Sequence, residues 1–396
     1  MAGKILYLSW SMPPDTSGSA IIALNLVKQF TRDEMVVAGE RPYGKPPVQW
    51  NAAWPELRCV QSVWPVTGRG LRWWRLLQFP FAVLKCLHII RRHRVDRIVA
   101  VYPKATFLFA GYLLARLTGC KLYAYLHNTY ESRTGIQRCF AAWVHELVFR
   151  RAGHVFVMSE GMSEFFKQRF PHVEQTPLLH SFNEPIPQFD QPPPVGVPLR
   201  LVFCGNLVSC KDAAARLAEA IARSPDASLS ILSGDDPAVL RMYGLLRPGT
   251  ACQTVSRDEV PERLRQADVV LLPHSFEYPE AARNEFRTIF PTKTIEYLIS
   301  GRPILAHSPA DAFLTKFLVK NECALVVDRP DVGALCEAIE RLRCDAVLRG
   351  RLVRNALRTA RQFCAANVAA EFRKWVGAPI GAVQQRTLEE VKTGDR

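Results

Sequence analysis

Residues able to do chemistry are densest between Phe290 and Leu305, where the chain reads Phe-Pro-Thr-Lys-Thr-Ile-Glu-Tyr-Leu-Ile-Ser-Gly-Arg-Pro-Ile-Leu. Pro291 suits the first turn of a helix, Thr292 and Thr294 offer capping hydroxyls, and Gly301 followed by Pro303 is a stop signal. Together they predict a helix of about ten residues. Its first turn presents free backbone N–H groups and the positive end of the helix dipole. Lys293 adds a full charge there, so an anion such as a phosphate is favoured. Glu296 lies one turn further in, where a carboxylate suits the hydroxyls of a ribose whose phosphates rest on the helix start. The same residues also read as an ordinary amphipathic helix, with Ile295, Leu298 and Ile299 on a core and Glu296 solvated.

The flanking elements favour the first reading. Val269-Val270-Leu271-Leu272-Pro273 is a short apolar strand ended by proline, and Pro303-Ile304-Leu305-Ala306 is another. Strand, loop, helix and strand form a βαβ unit whose helix start falls at the end of the sheet where doubly wound folds bind ligands.

The run Ala267 to Pro273, then Phe290-Pro291-Thr292-Lys293 to Glu296-Tyr297-Leu298, then Ser300 to Leu305, resembles the donor-binding core of GT-B glycosyltransferases, and most of all glycosyltransferase family 4. The resemblance implies an α/β fold class, with two Rossmann-like doubly wound domains facing a cleft. It further implies that Thr292, Lys293 and Thr294 hold a nucleotide-sugar diphosphate and that Glu296 holds the ribose. The family often carries a second acidic residue eight positions earlier, and this chain has Thr288 there.

Other segments extend the resemblance. Pro13-Pro14-Asp15-Thr16-Ser17-Gly18 is similar to the family's glycine loop, with Ser17 in place of the first glycine; Gly18 is then a donor contact and Ser17 an acceptor-side one. His127 follows the strand Lys121 to Leu126, where members place a histidine near the donor sugar, and Glu131 falls near the acceptor. Asn206 stands where the family has a phosphate-binding arginine, and Lys211 retains the lysine that follows. A lysine in such a strand-to-helix loop can neutralise a diphosphate leaving group without a metal. Asp235, in Ser-Gly-Asp-Asp, matches a loop beside the donor pocket. His127, Lys211 and Glu296 are accordingly the expected catalytic residues.

Composition sets the limits. A chain of 396 residues with 48% hydrophobic and 10% aromatic content suits two globular domains. These are expected at 1–184, acceptor side, and 199–375, nucleotide-sugar side, joined by a proline-rich hinge at 185–198 and followed by a tail at 376–396. A net charge of +14 points to an anionic partner: nucleic acid, an acidic membrane surface or phosphorylated substrates. Eleven cysteines without a C-x-x-C pair or a Cys/His cluster of zinc spacing fit scattered thiols in a reducing cytosol; the resemblance, in turn, implies no metal and no cofactor beyond the donor. Lys4 to Ser9 reads as a first strand rather than a signal peptide, and no long uninterrupted apolar stretch reads as a membrane span.

Gly68 to Val95 is rich in Arg and Trp, including Arg72, Trp73, Trp74 and Arg75. It reads as a peripheral contact with an anionic membrane or as a core helix under a basic surface. Nucleic acid ranks below both because no nucleic-acid motif accompanies it.

The reading that follows is a metal-independent retaining hexosyltransferase of the cytoplasm or the inner membrane face. It moves a sugar from a nucleotide-diphosphate donor to a glycan or lipid-linked acceptor in surface polysaccharide biosynthesis. Retention rests on the resemblance. The rivals are a GT-B-like scaffold that has lost catalysis and a GT-B sugar-nucleotide epimerase.

Overall fold

The computed structural model describes residues 3–12, 15, 17–41, 50–62, 69–188, 191 and 194–377. The loop residues Pro13, Pro14 and Thr16, four hinge positions and the tail from 378 onward lie outside the described residues. The chain divides into two units, one of residues 1–183 with 364–396, the other of Glu184–Phe363.

The first unit is a seven-stranded parallel sheet. Its strands are β1 (Lys4–Ser9), β2 (Met35–Arg41), β3 (Glu56–Ser62), β4 (Val95–Tyr102), β5 (Lys121–Leu126), β6 (His154–Val157) and β7 (Gln175–Pro177), in the order β3-β2-β1-β4-β5-β6-β7. Crossover helices cover both faces of such a sheet, so its strands read as near-continuous apolar runs. Ile98, Val99, Ala100 and Val101 of β4 are all fully buried, each side chain contributing about 1.5–3 kcal/mol where large.

The second unit repeats the plan with six parallel strands. These are β8 (Leu199–Cys204), β9 (Ala227–Leu232), β10 (Thr250–Gln253), β11 (Val269–Pro273), β12 (Ile304–His307) and β13 (Leu325–Val327), in the order β10-β9-β8-β11-β12-β13. In each sheet the order reverses beside the first strand, between β1 and β4 and between β8 and β11. Loops leaving the carboxyl ends at such a switch point form the natural ligand crevice.

Two details refine the expected boundaries. The final helix, Ala365–Val376, returns to the first unit, as the resemblance allows for the segment Cys364 to Trp375 at the end of the second domain. Phe372 packs edge-on to Phe30 and stacks on Phe156, Arg373 pairs with Glu34 at 3.1 Å, and Ala365 N–H donates to the Phe182 carbonyl at 2.9 Å. The helix carrying Lys293 is also shorter than about ten residues: it runs Lys293–Leu298, six residues. Ile299 leaves helical geometry, the Ser300 hydroxyl donates to the Tyr297 carbonyl at 2.7 Å, and Gly301 turns with φ +69°.

Candidate active site

The donor-side residues gather at the carboxyl ends of β8 and β9. Cys204 ends β8, and its backbone N–H donates to the Tyr297 hydroxyl at 2.8 Å, which pins the Lys293–Leu298 helix to the strand end. Tyr297 is fully buried, so the helix cannot shift without exposing it. Gly205 then turns with φ +115°, a conformation that L side chains rarely adopt. Over that turn lies Lys293, its Nζ 4.0 Å from the centre of the Phe203 ring. Burial holds the Lys293 ammonium below its ordinary pKa, with Glu296 and Asp235 among the groups pulling the other way. A cation lodged on an aromatic face beside exposed backbone is short of solvation, which an incoming anion would restore.

A methyl group on Gly205 would come within 3.1 Å of Lys293 Nζ. Gly205→Ala therefore meets both a forbidden backbone angle and the lysine. We expect it to cost about 1–3 kcal/mol of stability and to weaken donor binding as Lys293 is displaced. Urea denaturation and donor titration of the variant measure the two effects separately.

Around this centre the other predicted residues take definite roles. Asn206 Nδ2 donates to Asp235 at 2.7 Å, and the Leu207 N–H donates to the same carboxylate at 2.8 Å. The pair expected to touch the donor thus clamps the turn after β8 against the end of β9. The Lys211 ammonium lies over the Tyr243 ring at 4.4 Å on an exposed helix start. Thr292 stands at the helix N-cap without a side-chain capping bond, and Thr294 is fully buried with no partner for its hydroxyl among the described residues. Thr288 ends a short helix, Arg283–Thr288, that sequence patterning did not reveal; its hydroxyl donates back to the Asn284 carbonyl at 2.7 Å.

Glu296 is held by an ion pair with Arg257, a residue that sequence reasoning passed over. Arg257 follows Ser256, whose hydroxyl and N–H both donate to Glu259, so the arginine is presented from a capped turn beyond β10. The signal available was a basic residue just past a strand end, the same position class as Lys211.

The first unit carries the remaining candidates on loops after β1 and β5. Ser17 caps helix α1 (Gly18–Val27): its hydroxyl accepts from the Ala20 N–H at 3.4 Å, and its own N–H and hydroxyl donate to Asp15 at 3.1 and 2.8 Å. Gly18 is the first residue of that helix rather than part of the preceding loop. His127 follows β5 directly, its N–H donating to the Tyr102 carbonyl at 3.2 Å and its ring edge-on to Tyr125 at 4.4 Å. The imidazole is buried, and neither ring nitrogen has a hydrogen-bond partner among the described residues. Burial, with a smaller contribution from His180, pushes its pKa down to about 3. His127 is therefore a neutral ring with one donor and one acceptor to spare. Glu131 is half-buried in the same loop.

Of the four residues expected on a membrane, Trp73 is exposed, whereas Arg75 and Trp74 turn inward. Arg75 makes a two-pronged ion pair with buried Glu40, at 2.8 and 2.6 Å, and half-buried Trp74 donates from Nε1 to the Ser62 carbonyl at 3.3 Å. The side chain of Arg72 lies outside those described. Among the described residues, no helix is long and apolar enough to cross a membrane, and no group of three or more His, Cys, Asp or Glu residues would hold a metal ion.

Each of the two units is a parallel-sheet Rossmann-like domain, the pair of domains found in GT-B glycosyltransferases. Residues 17–178 match the model of the glycosyl transferase 4-like domain, and residues 198–345 match that of glycosyl transferases group 1. The chain is a GT-B glycosyltransferase resembling family 4. No curated protein matched in the sequence comparison.

Solved structures share the fold. Sucrose-phosphate synthase from Thermosynechococcus elongatus superposes with a TM-score of 0.71 at 16% identity, over 94% of this chain and 98% of the other. HepE of Anabaena, in complex with UDP and glucose, gives 0.68 at 15% identity, over 96% and 100%. WaaG, a glycosyltransferase involved in lipopolysaccharide biosynthesis, gives 0.59 at 14%, over 94% and 99%.

Proposed function

We propose that this glycosyltransferase moves a hexose from a nucleotide-diphosphate sugar to a glycan or lipid-linked acceptor, with retention of configuration and without a metal or further cofactor. The observation that carries the reading is Lys293, short of solvation over the Gly205 turn, with Glu296 one helical turn away. An anion next to Lys293 relieves the cost of burying its charge. A ribose would then lie within reach of Glu296, whose carboxylate must exchange part of its pairing with Arg257 for the sugar hydroxyls.

In this reading Lys293 stabilises the charge that develops on the departing diphosphate, with Lys211 adding charge if its side chain leaves Tyr243. Asn206 and Asp235 keep the turn after β8 in shape. Neutral His127 offers a hydrogen bond to the donor sugar without a charge that would repel an oxocarbenium-like centre. The acceptor hydroxyl attacks on the face the diphosphate leaves, and its proton passes to the departing phosphate. Surface polysaccharide biosynthesis on the inner face of the cytoplasmic membrane is the setting we propose. The neighbour solved with UDP and glucose makes UDP-sugars the first donors to test.

The test is a thermal-shift panel of UDP-, GDP- and dTDP-sugars, because a ligand that binds only the folded state raises its melting temperature. One nucleotide should raise it selectively, and Glu296→Ala should lose most of that shift while its ligand-free melting temperature stays close to wild type. An equal shift in the variant would remove the ribose role. Absence of any shift, together with no donor-dependent transfer, would favour a scaffold that has lost catalysis.

A further inference from the structure

Helix α2 (Arg69–His93) of the first unit has apolar side chains on two faces. The inner face is accounted for: Ala82, Cys86, Ile89 and Ile90 are buried in the core, and Arg75 is fixed to Glu40. The outer face is not. Trp73, Leu76, Leu77, Phe81 and Leu84 are each more than half exposed, at 70, 52, 67, 65 and 60%. Their spacing of three, four and eight residues sets them on one stripe along the helix. Isolated exposed hydrophobes need no explanation, whereas a contiguous stripe marks an interaction surface.

Beside the later half of the stripe lies a groove of about 390 Å³ between β3 and α2. Leu84 belongs to both the stripe and the groove wall, which otherwise includes Arg58, Lys85, His88, Arg92 and His93. Glu56 is the acid that answers this charge, and it is taken by Arg58 at 2.5 Å and His93 at 3.6 Å. Lys85 and Arg92 are exposed and have no acidic partner within ion-pair distance among the described residues. The sequence of α2 contains no Asp or Glu at all.

We propose that this face docks on an anionic bilayer: the Trp73-to-Leu84 stripe enters the acyl boundary, and the groove at Lys85 and Arg92 receives lipid phosphates. A bilayer fits better than a protein partner because the surface pairs a long apolar stripe, tipped by a tryptophan, with cations alone. The stripe spans roughly 17 Å at the helical rise, a length suited to lying in the interface plane. None of Lys293, Glu296 or His127 takes part, so lipid docking and donor binding fail separately.

The test is co-sedimentation of the full chain with vesicles of phosphatidylcholine alone or mixed with phosphatidylglycerol. The wild type should bind the mixed vesicles and release in high salt. Lys85→Gln with Arg92→Gln should weaken binding by about 30-fold, roughly fivefold for each cation lost at an anionic surface. Leu77→Ser with Phe81→Ser should abolish it. These side chains are solvent-exposed, and an unchanged donor-induced thermal shift verifies that each variant is folded. Brominated acyl chains should quench tryptophan fluorescence in the wild type, and Trp73→Phe should remove most of the quenching. Equal binding to both vesicle types, no binding to either, or binding unchanged in both double variants would overturn the proposal.

Discussion

Lys293→Met is expected to abolish the donor-induced thermal shift and to lower sugar transfer by about 10²–10³-fold, the usual effect of removing one preorganised group from a developing negative charge. Its effect on the ligand-free protein should run the other way. Burial depresses the pKa of Lys293, so the unfolded chain binds that proton more readily than the folded one. The direction of linkage follows. The lysine's penalty is absent above its unfolded pKa and grows as pH falls through the depressed folded value, so at neutral pH its charge works against folding. Methionine keeps the length and the contact with Phe203 without the charge. The variant should therefore melt no lower than wild type at pH 7, and its stability should depend less on pH in the alkaline range. Scanning calorimetry with and without donor reads both halves. A variant that keeps the donor shift would refute the role of Lys293, and one that melts well below wild type would show the ammonium to be a structural ion.

The second large effect is acid sensitivity. His127 and His145 are fully enclosed in the first unit, and burial pushes their pKa values down to about 3 and about 4. His154, beneath Trp375, shifts the same way, to about 4. An unfolded histidine takes its proton near pH 6.5, whereas these rings stay neutral while the fold holds. The stability they carry is complete above that value and is lost as pH falls through the window from about 6.5 to about 4. Mid-window, His127 and His145 together remove about 3 kcal/mol per pH unit, against a total of about 5–15 kcal/mol for a typical domain. Urea midpoints at pH 7 and 5.5 should differ strongly, and His127→Phe should reduce the slope with pH by about 1.4 kcal/mol per unit. A slope unchanged by the variant would mean that His127 is hydrated or already protonated in the folded state.

How legible all this was in the sequence depended on what each residue had to satisfy. The strand Lys121–Leu126 and the strand Val269–Pro273 were readable to the residue because a parallel strand covered on both faces must be apolar throughout. The placing of Lys293 and Glu296 side by side was readable because both sit on one helical turn. Arg257 was not, since it reaches Glu296 across 39 positions of chain and only the sheet order brings them together. Asn206 and Asp235 were expected as ligand contacts only through the family positions that the resemblance gives them; their hydrogen bond to each other depends on two adjacent strands and was not readable along the chain. The phase of α2 was the hardest to read. A helix apolar on both faces has no hydrophobic pattern to decide which side turns inward, and the deciding contact was the buried Glu40 on β2, which drew Arg75 off the surface.

The place of the last helix also imposes an order on synthesis. Residues 184–363 form one unbroken unit and have all their strands in hand as soon as they emerge. The earlier residues 1–183 do not, because Phe30 and Phe156 wait for Phe372, which is made after the whole second unit. At ordinary translation rates the interval is roughly 10–40 s. For that time the first-born half of the nascent protein holds an open aromatic seam, and the later-born half is the first to have all of its residues made.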